Sequence, residues 1–65
     1  MATSRGYYLQ ELRRAKVNVD MIYRHLDRVL EAYAQDHPDI AVAAGAIMDA
    51  LVLIEDTIDK IIDSI

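Results

Sequence analysis

The chain has no cysteine, no tryptophan and no phenylalanine, and in 65 residues it has one proline and two glycines. Without cysteine there is neither a disulfide framework nor a thiolate metal site. The histidines, His25 and His37, are twelve apart and belong to no His-x-x-x-His or Glu-x-x-His pattern, so no zinc site is expected. A glycine-rich phosphate loop and a nucleophile–base pair are also missing, and no cofactor, catalytic residue or enzymatic activity is expected. The first residues lack the basic-then-apolar pattern of a signal peptide. The longest nearly uncharged run, Ile40 to Ile54, is 15 residues with Asp49 inside it, against about 20 for a membrane span. These absences predict a soluble, cytoplasmic protein with no membrane partner. Chains of this size are usually held together by disulfides, a metal or a partner. With the first two removed, self-association or a partner protein is left.

Apolar residues make up 54% of the chain, too many for a disordered tail, and they are arranged in steps of four and three. After the proline, Ile40, Ile47, Leu51, Ile54, Ile58, Ile61 and Ile65 recur with Ala44 filling the one gap. Before it, the same spacing joins Tyr8, Leu12, Ala15, Val19, Ile22, Leu26, Val29 and Tyr33, widened by Leu9, Tyr23 and Leu30 and interrupted by Lys16. Steps of this kind keep side chains on one face of a helix, whereas a strand alternates with period two. The spacing predicts helices over about 7–34 and 38–64, roughly 40 Å each. Thr3 or Ser4 is a candidate cap for the first and Asp36 for the second. The break lies at Gln35-Asp36-His37-Pro38-Asp39, where proline disfavours helix at His37 and suits the first turn that follows. So short a connection makes the helices antiparallel neighbours. The expected fold is all-α: one helical-hairpin domain, 1–65, assembling into a four-helix bundle dimer or a larger helical oligomer.

The oligomer is expected because residues 40–54 are apolar almost all round, and one neighbouring helix cannot cover them. Beside the main stripe runs a second one. The expected interface between copies is Ala41, Ala44, Gly45, Met48, Val52 and Leu53, the small residues letting another helix approach closely. Beyond Ile54 the helix is amphipathic, and Glu55, Asp56, Asp59, Lys60 and Asp63 are expected to face outward.

The net charge of −4 is unevenly placed. Residues 1–34 carry six basic and four acidic side chains, while residues 35–65 carry Lys60 against seven acids. This favours side-by-side packing of the halves and weakly orients any charged partner toward the first. Arg14, Val17, Met21, Arg24 and Arg28 share the outer face of the first helix. Arginine and methionine are enriched at interfaces, so this is the candidate face for a protein partner; the plainer alternative is an ordinary exposed surface. Asp49, Asp56 and Asp63, seven apart, form either a docking strip or a solvated face, since the clustered ligands and glycine turn of a cation loop are missing. Asn18 and His25 flank the first stripe as boundary residues. Tyr7 or Tyr8 with nearby arginines is an alternative site, where a small nucleotide would stack at a subunit junction.

A short two-helix chain closing into a dimeric bundle is similar in architecture to the plasmid-encoded Rop family of RNA-binding proteins. The resemblance rests on length and helix pattern; no motif is matched residue by residue, and no functional residue is carried across. It implies RNA binding as an alternative function, which would depend on Arg13, Arg14, Arg24 and Arg28. Asp20 and Asp27 beside those arginines, and the overall negative charge, make nucleic acid the disfavoured partner. The leading expectation is a small, non-enzymatic protein-interaction or regulatory module.

Overall fold

The computed structural model describes the backbone of residues 2–65 and the side chains from residue 4 onward. It contains two helices, α1 (Ala2–Tyr33) and α2 (Pro38–Ser64), packed against each other as a hairpin. The first helix begins earlier than its spacing predicts: Thr3, Ser4 and Gly6 lie within it, so neither Thr3 nor Ser4 is at the N-cap position. Gly6 has no positive φ and lies within α1.

The turn is built from backbone rather than from a capping side chain. His37, not Asp36, takes the N-cap position of α2 with φ −137° and ψ 74°, and no side chain caps the helix. Instead the His37 carbonyl accepts from the N–H groups of Ile40 and Ala41 at 3.0 and 3.2 Å, and the His37 N–H donates to the Tyr33 carbonyl at 2.9 Å. Pro38 follows at the start of α2, where its missing N–H leaves no bond unmade. Tyr33 packs edge-on against the His37 ring, with centroids 5.5 Å apart.

Two contacts fix how the helices align. Lys16 Nζ meets Asp59 Oδ1, and a β-carbon on Gly45 would meet Leu30 Cδ1 at 3.9 Å. Fourteen residues separate each pair along its own helix, so the alignment does not slip between them. Within one residue of that alignment, Leu12 is level with Ile62, Tyr23 with Leu51, Leu26 with Met48 and Leu30 with Ala44. These residues occupy the a and d positions of a heptad repeat, the pattern of an antiparallel coiled coil. Near the turn a large side chain of α1, Leu30, meets a small residue of α2, Gly45.

The enclosed volume is small. Among the described residues the buried apolar side chains are Val19, Ala44, Met48 and Leu51, and none is fully enclosed. The molecule is a rod, with Cα extents of 54 × 15 × 10 Å and a radius of gyration of 15.4 Å. A compact domain of this length would have a radius of gyration of about 11 Å.

Candidate functional site

Which side chains the seam uses determines which are left for function. The main stripe of α2 does not face α1 as a unit. Leu51 is buried and Ile58 half-buried, but Ile40, Ile47, Ile54 and Ile61 remain 37–48% exposed. Those four isoleucines are seven apart, the g positions immediately before each a. The same position on α1 holds Tyr8, Ala15, Ile22 and Val29, of which Tyr8 and Ile22 are exposed. Reversing the direction of one helix brings the g edges of an antiparallel pair to the same side. The hairpin therefore has one apolar flank running most of its length. Beside the isoleucines, Ala43, Ala50 and Thr57 are exposed and small.

The six residues expected between copies divide. Ala44 and Met48 are buried and Ala41 and Gly45 half-buried within one hairpin, where Gly45 lies beside Leu30 of its own chain. Val52 and Leu53 are exposed. The second stripe of α2 is thus largely the seam itself, and part of the main stripe is the free surface. Helical spacing identifies both stripes as apolar without saying which one the neighbouring helix covers.

The seam also holds charges expected outside it. Glu55 and Asp59 are half-buried rather than outward, because they lie at a and e of α2. Lys16, the interruption in the first stripe, sits at a of α1 and reaches Asp59 across the seam. The Asp59 carboxylate, accepting a hydrogen bond from the ammonium, raises the Lys16 pKa above its ordinary value, with the negative charges of Glu55 and Asp63 adding to the effect. A lysine in a leucine-rich face is explained by these acids.

Arg14, Val17, Met21, Arg24 and Arg28 are all exposed on the outer face of α1, at b and f positions. Arg14 Nη1 donates to Glu11 Oε1 at 2.8 Å, and Arg24 Nη2 lies 3.1 Å from Asp20 Oδ2. A shallow groove of about 370 Å³ runs between Gln10, Arg13, Arg14, Val17 and Asn18. A smaller one of about 180 Å³ is lined by Met21, Arg24, His25 and Arg28. Asn18 and His25, the expected boundary residues, therefore border the arginine face.

The outer face of α2 carries the two most exposed large apolar side chains among the described residues, Val42 at 73% and Leu53 at 68%. Asp49 and Asp56 flank Leu53 and are exposed. Tyr7 and Tyr8 pack edge to face, with centroids 5.1 Å apart; both remain exposed. Among the described residues no three His, Asp or Glu side chains are grouped closely enough to hold a metal ion. Among the described residues no helix is long and apolar enough to cross a membrane. No protein-family model, curated protein or solved structure matches the chain.

Proposed function

We propose that the chain is a small, non-enzymatic protein-interaction module that works as a dimer. Two hairpins pack flank to flank through Ile40, Ile47, Ile54 and Ile61, with Tyr8 and Ile22 beside them, to close a four-helix bundle. The arginine face of α1 stays outside and docks an acidic protein surface.

The observation that carries the dimer is the row of half-exposed isoleucines along one flank. The accessible surface, 5078 Å², points the same way, because a folded monomer of 7.4 kDa typically exposes about 4,200 Å². Small residues beside the row, Ala43 and Ala50, let a partner helix approach closely. The outer arginine face supports docking through its composition, two apolar residues set among arginines.

Mass measured by sedimentation or light scattering through a dilution series tests the assembly, with two chains expected down to micromolar concentration. A compact single chain at that dilution would remove the bundle. For the docking face, Met21→Asp and Arg24→Glu are expected to abolish association with a protein recovered by the wild type. Full activity of both variants in cells would remove that part.

A further inference from the structure

Two faces remain once the seam and the isoleucine flank are set aside, and they are complementary. On the outside of α1, Val17 and Met21 are 59% and 52% exposed, with Arg14, Arg24 and Arg28 around them. On the outside of α2, Leu53 stands exposed between Asp49, four residues before, and Asp56, three after, with Ala46 two turns back. Neither the seam nor the isoleucine flank uses Leu53, because its f position points away from the a, d and g positions.

We propose that the outer face of α2 in one copy docks on the outer face of α1 in another. Leu53 and Ala46 seat against Val17 and Met21, while Asp49 and Asp56 meet Arg24 and Arg28. This rests on the reading that the arginine face takes a protein partner, and it identifies that partner as a second copy of this chain. Arg24 keeps donors to spare beyond its contact with Asp20, since a guanidinium has five. Among the described residues, Arg28 has no carboxylate within ion-pair distance. The apolar centres supply area, and the charges around them fix which face meets which. The two patches differ and lie at opposite edges of the hairpin, so the contact is head-to-tail. Such contacts propagate into a ring or a filament, according to whether the rotation closes. The isoleucine flank would thus make the two-chain unit, and the outer faces would link units together.

Mass measured on the full chain at two salt concentrations tests this. Near 10 mM salt, the wild type is expected to reach at least twice the two-chain mass. Near 1 M salt, where the screening length falls to about 3 Å, it should return to two chains. Arg24→Glu with Arg28→Glu, and separately Asp49→Lys with Asp56→Lys, should each stay at two chains in low salt. An equimolar mixture of these two variants should regain the larger species, because each supplies the face that complements the other. A wild type fixed at two chains at every salt concentration overturns the proposal. If poly-glutamate nonetheless binds the arginine face, the occupant is a foreign acidic protein. A mixture no heavier than its components overturns the proposal as well. A basic unit of one chain would instead sink the isoleucine dimer, and growth on mixing would then report the outer contact alone.

Discussion

Lys16 is the residue on which the alignment of the helices turns. Its side chain is 32% exposed and lies against Asp59, and its pKa is raised chiefly by that hydrogen bond. A raised lysine pKa means that the folded form holds the proton more tightly than the unfolded chain. This stabilising contribution is fully present below about pH 10.4, the ordinary lysine value, and fades as pH climbs through the raised one. Denaturant midpoints measured from pH 8 to 11.5 should therefore fall more steeply in the wild type than in Lys16→Met. Lys16→Glu should destabilise the hairpin by crowding Glu55 and Asp59, and Asp59→Lys in the same chain should recover part of the loss. No recovery in the double variant would mean that the two side chains do not act as a pair. Gly45 makes a second residue-scale case. A β-carbon there meets only the end of Leu30 at 3.9 Å, an ordinary contact. Gly45→Ala should raise stability by about 0.5–1 kcal/mol through helix propensity alone, as read from the urea midpoint.

At the scale of the helices, periodicity made most of the fold legible. Pro38 and the residues around it locate the turn, and steps of four and three locate both helices, because a helix repeats every 3.6 residues. Spacing does not reveal which of two adjacent apolar stripes meets the neighbour. That choice depends on close approach, and Ala41, Ala44 and Gly45 let the axes of the two helices come together where Ile40 and Ile47 would hold them apart. Nor does spacing place Glu55 and Asp59 inward, since each is an acid among acids until Lys16 is seen opposite. The arginine face was legible directly, because every residue in it shares one side of one helix. The two stripes should separate by experiment. Leu51→Ala, in the seam, should cost about 2–4 kcal/mol while the mass stays that of the dimer at high concentration. Ile47→Asp with Ile54→Asp, on the flank, should reduce the mass to one chain. If Leu51→Ala is the change that dissociates the assembly and the double aspartate leaves it intact, the stripes have been assigned the wrong way round.

For the whole molecule, the governing quantity is how little a lone hairpin encloses. A two-helix layer 10 Å deep in its Cα trace has no interior in which a side chain is surrounded on all sides. Folding coupled to association makes stability depend on concentration. Each tenfold increase in protein should add about 1.4 kcal/mol and raise the melting temperature by about 3–5 °C. A melting temperature constant from 1 to 100 µM would show that the hairpin folds by itself.

The lysine–carboxylate contact has a consequence for how the chain reaches this state. Helices joined by a four-residue bend meet first beside it and zip away from it, so mistakes of alignment are decided early and locally. A slide of one heptad would set Lys16 level with Val52 and take its ammonium away from Asp59, leaving Glu55, one turn on, as the nearest acid at the seam. Such a misregistered encounter would forfeit the Lys16–Asp59 contact, so the charged rung favours one pairing among those that the leucines and isoleucines alone leave ambiguous.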